Sequence, residues 1–463
     1  MNYAESLTYL TDLGYELRGV KFDLRAIESV LAELGAPHQK YPTAIVAGTN
    51  GKGSTAAILA SILQCAGYRT GLYTSPHLIR VNERIRVDSR EIADEDFARC
   101  FTDVRQAVER LLERKALDLR PSFFEHLTAI AFLHFARTPV DFAVLEVGLG
   151  GRLDATNVTA PRVAIVTNVE IDHVEFLGAT HAAIAREKAG VIKPHRPVVS
   201  ASEHPEVVEV LRQRAAELDA ELIELPRLAL ISNVQGRGGL YRFNLAVNGD
   251  CFTGLSPSLR GKFQVQNAAT AVSAAWRLSQ DGWNIPRAAI VEGVRRARWE
   301  GRLEVILDHP LVVVDGAHNP AAAREVAAFA RENWAGKRLR LVYASMRDKA
   351  IGEISEILFP RAEEVYLTRP ELTRAATAEQ ILAAARIQPQ RVVIEPDPAR
   401  ALERACRASA PDDVVLACGS LFLVGALKKA QLEGRLRVEA PAERVISYQL
   451  SALSSQQEKS GSC

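Results

Sequence analysis

The sequence predicts an α/β protein with two doubly wound units, the first of which carries a small antiparallel appendage. Short apolar runs rich in β-branched residues alternate with helical patterns over most of the 463 residues, as in parallel sheets with crossover helices. Residues 228–256 instead alternate apolar with polar and contain Gly-Gly and Asn-Gly-Asp turn signals, which indicate antiparallel strands. A second strand–helix cycle begins near Arg302. We therefore expect a P-loop-type, mostly parallel sheet followed by a smaller Rossmann-like unit.

The first unit contains four apolar runs that suit buried strands and four stretches that suit helices. The predicted strands are PTAIVAGT (42–49), RTGLYTS (69–75), DFAVLEVG (141–148) and RVAIVTNV (162–169). The predicted helices are KGSTAAILASILQCAG (52–67), HAAIAREKAGVI (181–192), PEVVEVLRQRAAEL (205–218) and residues 263–279, which follow the appendage.

The second unit has a similar alternation. Its predicted strands are LEVILDH (303–309), PLVVVDG (310–316), RLRLVYAS (338–345), EEVYLTR (363–369), RVVIEPD (391–397) and DDVVLACG (412–419). Predicted helices, AAAREVAAFARENW (321–334) and TAEQILAAAR (377–386), separate the later strands. We expect one domain over residues 1–298, a second over 299–433, and a polar, frayed tail over 434–463.

The composition is that of an ordinary globular protein, with 48% hydrophobic and 24% charged residues. A formal net charge of +1 argues against a nucleic-acid partner, and no apolar run approaches the roughly 18 residues that a membrane span needs. The acids and polar residues of the N-terminus do not resemble a signal or transit peptide. Six cysteines without metal-ligand spacing are typical of reduced thiols. Since there is also no coiled-coil pattern, we expect a cytoplasmic monomer.

Residues 45–55, IVAGTNGKGST, form a glycine-rich segment between a predicted strand and a predicted helix. The general phosphate-binding pattern is G-x-x-x-x-G-K-[ST], but here Val46 replaces the first glycine and Gly53 replaces the Ser/Thr. The strand–turn–helix context is still the one that phosphate binding requires, because a helix N-terminus favours negative charge. We interpret the segment as a nucleotide-binding loop; a glycine-rich turn without a ligand is the alternative.

The residue types of the loop suit that chemistry. Gly48, Gly51 and Gly53 allow backbone N–H groups to approach phosphate oxygens, which larger side chains would prevent. Lys52 can reach the terminal phosphates of a nucleotide, and the hydroxyl of Ser54 or Thr55 can bind Mg²⁺ or a phosphate oxygen.

The departures from the general pattern are those of a known family. GTNGKGST (48–55) resembles the loop of the Mur ligase superfamily, whose members join an acid to an amine with ATP. Nine further blocks resemble the folate branch of that superfamily, the folylpolyglutamate synthases and dihydrofolate synthases, over residues 40–430. In order, they are TSPHL (74–78), NERI (82–85), SFFEHLTAIAF (122–132), LEVGLGGRLDATNV (145–158), TNVEIDHVEFLG (167–178), IAREKAGVIK (184–193), QNAATA (266–271), EGRLE (300–304) and DGAHNP (315–320).

The resemblance implies that ATP lies between the two units. Arg302, in the segment that joins them, and Asp315, from the second unit, would meet the nucleotide together. The residues implied to bind ATP are Thr49, Asn50, Gly51, Lys52, Gly53, Ser54, Thr55, Asn267, Arg302, Asp315 and His318. Read from the residues alone, Asp315 and His318 belong to a turn before a helix that begins at Pro320.

Glu146 and His173 each sit at the end of a predicted strand, and ligands of open α/β sheets bind beyond such ends. A carboxylate and an imidazole near a triphosphate suit a divalent ion, although a solvated acid and a loop histidine are the simpler interpretations. The resemblance assigns Glu146 and His173 to Mg²⁺ together with Ser75, and two Mg²⁺ ions are expected.

Lys188 lies in a predicted helix, and from the residues alone we expect an ordinary solvated lysine there. The matching lysine of the family is carbamylated, so the resemblance implies a carbamate at Lys188 that can hold a metal. The residues implied to act in catalysis are therefore Lys52, Lys188 and His173.

The resemblance also implies a pterin site. Phe124 could stack on a flat heterocycle and Asp154 could accept hydrogen bonds from its N–H groups, whereas a core aromatic and a turn acid are the alternatives. Arg84 lies in a segment that could meet an anionic substrate.

Taken together, these features predict an ATP-dependent ligase that adds L-glutamate to dihydropteroate, to the γ-carboxylate of folates, or to both, through an acyl phosphate. Phe124 and Asp154 favour the bifunctional form over a folylpolyglutamate synthase alone. Three alternatives are a Mur-type ligase of cell-wall nucleotides, a P-loop NTPase or kinase, and a pseudoenzyme that only binds nucleotide. Only about 45 residues precede the loop, which is too few for the UDP-binding domain of the first alternative.

Overall fold

A computed structural model describes residues 1–14 and 23–436. The tail expected over 434–463 lies outside the described residues beyond position 436, so the prediction of fraying stays a prediction. Two sheets and a three-stranded appendage account for all of the described strands. The eight-stranded sheet, its helices and the appendage are called the first unit below, and the six-stranded sheet with its helices is called the second unit.

The first unit is built on a mostly parallel sheet with the order β4-β3-β2-β5-β1-β6-β7-β8. Its strands are β1 (Thr43–Ala47), β2 (Thr70–Tyr73), β3 (Ile85–Val87), β4 (Arg90–Glu91), β5 (Phe142–Glu146), β6 (Val163–Val166), β7 (Val198–Ser200) and β8 (Leu222–Glu224). Only β3 and β4, at one edge, pair in the antiparallel sense. Because β1 pairs with β5 on one side and β6 on the other, the segment that follows it emerges at the centre of the sheet edge.

Strand β1 is buried on both faces, which explains its uninterrupted apolar run. Ala44 and Val46 pack into the core on one side of the sheet, and Ile45 and Ala47 pack into the core on the other. The helices of this unit are α1 (Tyr3–Asp12), α2 (Arg25–Glu33), α3 (Lys52–Cys65), α4 (Asp94–Glu113), α5 (Phe123–Arg137), α6 (Val174–Leu177), α7 (His181–Ala189), α8 (Pro205–Glu217), α9 (Leu225–Leu228), α10 (Phe263–Gln280) and α11 (Arg287–Arg296).

The appendage is an antiparallel meander of β9 (Ala229–Arg237), β10 (Leu240–Val247) and β11 (Asp250–Leu255). It reaches the second unit through the turn between β9 and β10. A Cβ on Gly239 would lie 2.5 Å from the ring of Phe329, and the Tyr241 hydroxyl donates to Glu332 Oε2 at 2.9 Å. The appendage therefore supports the contact between the two units.

The second unit is a sheet with the order β12-β13-β17-β14-β15-β16, parallel except for the edge strand β12. Its strands are β12 (Glu304–Asp308), β13 (Leu311–Val314), β14 (Leu339–Tyr343), β15 (Glu364–Leu367), β16 (Val392–Ile394) and β17 (Val414–Cys418). Its helices are α12 (Pro320–Asn333), α13 (Ile351–Leu358), α14 (Ala378–Ala384), α15 (Pro398–Arg407) and α16 (Leu421–Leu432). Short 3₁₀ turns occupy Pro37–Gln39, Val81–Arg84, Ala155–Val158 and Phe359–Arg361.

The predicted fold class is confirmed, and every strand and helix predicted above has a counterpart within a few residues. Two long helices, α4 and α5, have no predicted counterpart; they pack against each other beside β2 and β3. In the part of the chain that the structure describes, no helix combines the length and the apolar character needed to cross a bilayer.

Candidate active site

A cavity of about 620 Å³ opens between the two units, beyond the carboxyl ends of β1, β5 and β6 and of β13, β14 and β17. Most residues singled out by the sequence line it: Thr49, Asn50, Gly51, Lys52, Gly53, Ser54, Ser75, Phe124, Glu146, Asp154, His173, Lys188, Asn267, Arg302, Asp315 and His318. Thr55 and Arg84 do not reach its wall. The strand ends of both sheets thus converge on one chamber, as expected for open α/β units.

The glycine-rich loop is fastened to the segment that follows β6. Thr49 N donates to Asn168 O at 2.8 Å, and Asn50 N donates to Asn168 Oδ1 at 2.8 Å. The hydroxyl of Thr49 donates to Glu170 O at 3.1 Å. These contacts fix the loop against the segment that follows β6 and so reduce the ordering that nucleotide binding requires.

Two glycines of the loop cannot be replaced without a clash. Gly48 has φ +148°, and a Cβ there would lie 1.8 Å from Thr167 Oγ1. Gly51 has φ +82°, and its Cβ would lie 2.3 Å from Asn267 Oδ1. Both the left-handed backbone and the close neighbours demand glycine at these positions. Asn267, predicted to contact ATP, therefore lies directly over the loop.

Lys52 begins helix α3, and its Nζ donates to Thr49 O at 3.1 Å. Burial lowers the pKa of this amine, while the charge of Glu146 opposes the shift. Ser54 is buried and accepts from Gln264 Nε2 at 3.4 Å. The Thr55 hydroxyl is buried without a hydrogen-bond partner in the described structure, behind the cavity wall. Lys52 is thus the cation that the loop offers to a phosphate.

Glu146 is the last residue of β5 and is 4% exposed. Its Oε2 accepts a hydrogen bond from Ser75 N at 3.1 Å. Burial raises the pKa of this carboxyl, although the nearby Lys52 and Arg302 favour its ionised form. A buried carboxylate beside the phosphate-binding loop has the position and the charge to hold a divalent cation.

The donor set suits Mg²⁺ rather than a metal held entirely by protein. No group of three His, Cys, Asp or Glu side chains in residues 1–14 and 23–436 is arranged to hold a metal. Mg²⁺ commonly takes only one or two carboxylates and completes its shell with phosphate oxygens and water. Glu146 with the oxygen atoms of Ser75 provides such a partial set next to the loop.

His173 differs from its predicted position, because it lies seven residues beyond the end of β6, where it precedes the short helix α6 with φ +52°. Its Nε2 is 3.4 Å from Lys349 Nζ of the second unit. Burial and the Lys349 charge lower the pKa of this imidazole to about 4. His173 is thus a neutral imidazole close to the contact between the two units.

Asp172, next to His173, joins the two units. Its Oδ1 accepts from Lys349 Nζ at 2.8 Å, and Oδ2 accepts from Asn319 Nδ2 at 3.2 Å. Asn319 Nδ2 also donates to Asn50 Oδ1 of the glycine-rich loop at 3.0 Å. Although burial disfavours its ionised form, Lys349 holds the pKa of Asp172 well below its usual range. The structure therefore has a closed arrangement in which loop and second unit are bonded together.

No sequence motif described above singles out Asp172, Asn319 or Lys349. The first two stand inside blocks quoted above for the family resemblance, so a scan for polar residues beside His173 and His318 could have found them. Lys349, in SMRDKA (345–350), lies outside the blocks quoted for the family resemblance, so no motif points to it.

Lys188 is 3% exposed and lies one residue before the end of α7. The expectation of a solvated lysine, drawn from the residues alone, is wrong. Its Nζ donates to Gly48 O at 2.7 Å, so the side chain contacts the backbone of the glycine-rich loop. Burial and the charge of Lys52 lower the pKa of this amine to about 7, against the attraction of Asp172 and Asp154.

Asp315 and Arg302 lie where the two units join. Asp315 Oδ2 accepts from Leu303 N at 2.8 Å and Oδ1 accepts from Ala317 N at 2.7 Å. Burial raises the pKa of Asp315, although Arg302 opposes the shift. Arg302 Nη1 donates to Gly301 O at 2.9 Å. Each carboxylate oxygen of Asp315 thus accepts a backbone hydrogen bond, and the two bonds fix the chain where the units join.

His318 lies in the turn before α12, which begins at Pro320 as predicted. Its Nδ1 is 2.8 Å from Gly316 O, and its Nε2 is 3.7 Å from Asp172 Oδ2. Burial and the charge of Lys349 lower its pKa to about 4. Like His173, this histidine is neutral at physiological pH.

Phe124 and Asp154 shape the other end of the cavity. A Cβ on Gly148 would lie 2.6 Å from the Phe124 ring, so the ring covers the glycine-rich segment after β5. Asp154 accepts from Gly148 N at 2.9 Å and Leu149 N at 3.0 Å, and from Thr156 N at 3.0 Å and Thr156 Oγ1 at 2.6 Å. Four internal hydrogen bonds make Asp154 an organiser of this segment as well as a residue of the cavity wall.

Arg84 is 2% exposed and lies away from the cavity. Its Nε donates to His77 Nδ1 at 2.8 Å, and its guanidinium lies 5.5 Å from the centroid of the Phe123 ring. Arg84 is thus not part of the cavity wall, but its charge favours the ionised form of Glu146, which is.

The comparisons with known proteins agree with this geometry. Residues 46–275 match the Mur ligase middle domain and residues 301–421 match the Mur ligase glutamate ligase domain. Fold and site together thus define an ATP-dependent ligase of the Mur type. This class excludes the alternative of a P-loop switch or kinase without ligation.

Individual relatives indicate which branch of the Mur-type ligases this chain resembles. The Bacillus subtilis dihydrofolate synthase/folylpolyglutamate synthase is 35% identical over 413 residues, which cover 89% of this chain and 95% of the relative. The solved structure of E. coli FolC in complex with DHPP and ADP has a TM-score of 0.84 and 31% identity, with 94% of this chain and 99% of that chain covered. Mycobacterium tuberculosis folylpolyglutamate synthase complexed with ADP and AMPPCP has a TM-score of 0.85 and 31% identity, at the same coverage. The chain belongs to the dihydrofolate synthase/folylpolyglutamate synthase family.

Proposed function

We propose that this protein uses ATP to add L-glutamate both to dihydropteroate and to the γ-carboxylate of tetrahydrofolates. The observation that carries the proposal is the single cavity in which Lys52 of the glycine-rich loop, the buried carboxylate of Glu146 and the aromatic ring of Phe124 face Arg302 of the junction. A nucleotide and an aromatic acid can therefore occupy the same chamber. The folate-like and nucleotide ligands of E. coli FolC support the same pairing of substrates.

The reaction has to convert a poor acyl donor into a good one. Transfer of the γ-phosphoryl group of ATP to the substrate carboxylate forms an acyl phosphate and releases ADP. The amine of glutamate then attacks the acyl carbon, so that the C–N bond forms, the bond from carbon to the phosphate oxygen breaks, and the amine proton is lost. Such chemistry depends mainly on positioning and on charge neutralisation.

Residues of this chain have distinct roles in that scheme. The backbone N–H groups of the loop and Lys52 bind the phosphates, and Asn267 and Arg302 complete the nucleotide site together with Asp315 and His318. Glu146, Ser75 and His173 would hold Mg²⁺. When bound, the ion neutralises charge on the transferring phosphoryl group. The remaining loop residues, Thr49, Asn50, Gly51, Gly53, Ser54 and Thr55, shape the phosphate site.

Contacts between the two units protect the acyl phosphate. The Asp172–Lys349 ion pair and the Asn50–Asn319 hydrogen bonds close the chamber at the phosphate end. Closure removes water, which would otherwise hydrolyse an acyl phosphate before glutamate reacts. Lys349 Nζ lies 3.4 Å from His173 Nε2, so metal binding through that ring nitrogen would require Lys349 to move away.

Phe124 and Asp154 support acceptance of a pterin in the proposed bifunctional enzyme. The Phe124 ring offers a stacking surface at the cavity wall. Asp154 acts chiefly by fixing the segment after Gly148, and Arg84 acts on the site through its charge beside Glu146. A folylpolyglutamate synthase without dihydrofolate synthase activity is the second candidate, favoured by the relative from Lacticaseibacillus casei that bears that single name.

Further proposals concern the state of the protein. We propose domains over residues 1–298 and 299–433, since β12 starts the second sheet at Glu304. The five described cysteines are free thiols, which supports a cytoplasmic enzyme. We also propose a monomer; a molar mass near 50.7 kDa in light scattering would support it, and twice that mass would contradict it.

The test of the proposed function offers purified protein ATP, Mg²⁺ and L-glutamate with dihydropteroate in one reaction and tetrahydrofolate in another. Product mass should increase by one glutamyl residue in both reactions, with one ADP released per residue added. Product with tetrahydrofolate alone would support the second candidate. ADP release without any glutamylated product in either reaction would contradict both.

A further inference from the structure

Arg374 lies in the part of the cavity wall that the second unit contributes. The segment around it follows β15 and is bonded to the loop after β14. Arg347 N donates to Arg374 O at 3.1 Å, and Ala376 N donates to Ser345 O at 2.9 Å. Its backbone is thus held between the carboxyl ends of two adjacent parallel strands, where α/β sheets bind ligands.

The guanidinium of Arg374 is held by an aromatic ring. It lies 4.9 Å from the ring centroid of Phe422, in the first turn of α16 directly after β17. A cation over a ring face keeps its in-plane N–H groups available for other partners. Those donors match a carboxylate, which can accept two parallel hydrogen bonds from one guanidinium.

Arg374 differs from the other cations of the cavity wall, each of which donates to a protein oxygen. Those pairs are Lys52 with Thr49 O, Lys188 with Gly48 O, Arg152 with Glu187, Arg302 with Gly301 O, and Lys349 with Asp172. Among the described residues, the Arg374 guanidinium has no acceptor and no acidic partner, only the Phe422 ring. A guanidinium held in a cavity wall with its donors unused is suited to an anionic ligand.

We propose that Arg374 binds a carboxylate of the incoming glutamate and so helps to select a dicarboxylic amino acid. This inference rests on the proposed function. Most residues proposed for ATP and the pterin lie on the first unit, and Asp315 and His318 follow β13 of the second unit. Arg374 instead lies in the segment after β15, at another strand end of the second unit. L-Glutamate is the substrate for which no binding residue has been proposed so far. It carries two carboxylates, which suit a guanidinium at this position.

The experiment compares the full-length protein with Arg374→Gln and Arg374→Lys, with Arg369→Gln as the matched control. Arg369 is exposed, lies in the same segment after β15 and does not line the cavity. We expect Arg374→Gln to raise KM for glutamate about 10- to 100-fold, as for a lost charge-assisted hydrogen bond, while KM for ATP and for the pterin substrate stays within about twofold. Arg374→Lys should be intermediate, because an ammonium cannot make the two-pronged contact. The control should match the wild type.

Two amide analogues locate the contact. Glutamine lacks the γ-carboxylate and the α-amide of glutamate lacks the α-carboxylate, so the effect of Arg374→Gln should disappear with one of them. The inference is overturned if KM for glutamate does not change, if KM for ATP or the pterin rises by the same factor, or if the loss persists with both analogues. The wild-type assay is read first: a wild type that forms no glutamylated product refutes the proposed function, whereas an active wild type with an unaffected Arg374→Gln variant refutes this inference alone.

Discussion

The buried amine of Lys188 leads to a prediction about its chemical state. With a pKa of about 7, roughly nine in ten of these amines are neutral at pH 8 and about one in ten at pH 6. A neutral amine can attack CO₂, forming an N–C bond and losing a proton to give a carbamate anion. We expect Lys188 to be carbamylated above pH 7 in the presence of bicarbonate, and the modification to decline as the pH falls below 7. The anion would lie beside the glycine-rich loop, where Lys188 now contacts Gly48 O.

The perturbation is Lys188→Met, which keeps the length of the side chain but removes the amine. Loss of one preorganised charge contact costs about 3–4 kcal/mol, so kcat should fall roughly 10²- to 10³-fold. The matched control is Lys193→Met, because Lys193 also has a pKa lowered by burial but donates to Asn157 O outside the cavity. That control should keep near-normal activity.

The assay is ¹³C NMR of the protein in ¹³C-labelled bicarbonate, together with turnover in buffer with and without bicarbonate. A carbamate resonance should be present in wild type and Lys193→Met and absent in Lys188→Met. A second readout is stability in CO₂-free buffer. Between pH 7 and the ordinary lysine value of 10.5 only the unfolded chain binds this proton, so wild-type stability should rise with pH across that window and Lys188→Met should show a flatter profile. Full activity in Lys188→Met, or no bicarbonate-dependent resonance at pH 8, would refute the reasoning.

Three further predictions concern the loop and the contact between the units. Lys52→Ala should lower turnover by about two orders of magnitude or more through loss of a phosphate contact; near-normal glutamate ligation would contradict its role. Gly48→Ala should weaken ATP binding in calorimetry by at least about tenfold, because its Cβ would meet Thr167 Oγ1 at 1.8 Å and distort the loop; unchanged affinity would show that the loop can shift. Asp172→Asn should weaken the ion pair with Lys349 and raise the ratio of ADP released to product formed, since water enters a less tightly closed cavity. An unchanged ratio would show that closure does not depend on this pair.

Much of the fold could be predicted because its signals are local. The run 42–49 is apolar throughout since β1 is buried on both faces, and the turn signals of 228–256 gave the antiparallel appendage directly. The helix α5 was missed for a physical reason. It is buried along most of its length, so it shows no amphipathic period, and only its Ser122 cap marks its start.

Most residues of the candidate site were predicted through the family resemblance. Only the glycine-rich loop was also predicted from its glycines and its position between a strand and a helix. Lys188 shows the limit of reasoning from one helix. Lys188 shares the buried face of helix α7 with Ile184, Ala185 and Ala189, and only the contact of that helix with Gly48 shows that the lysine is buried. For Asp154, the sequence indicated an acceptor for a ligand, but the structure shows that its oxygens already accept from Gly148, Leu149 and Thr156.

The sequence by itself determined most of the strands and helices, their order, and that a glycine-rich turn suited to phosphate stands between β1 and α3, because periodicity and turn chemistry act over a few neighbouring residues. The tertiary structure alone decided which charges have partners. Asp172 and Lys349 are 177 positions apart and form an ion pair, and Arg374 has the ring of Phe422 in place of an acid. Such pairings depend on how two sheets meet across a cavity, and no local pattern encodes that geometry.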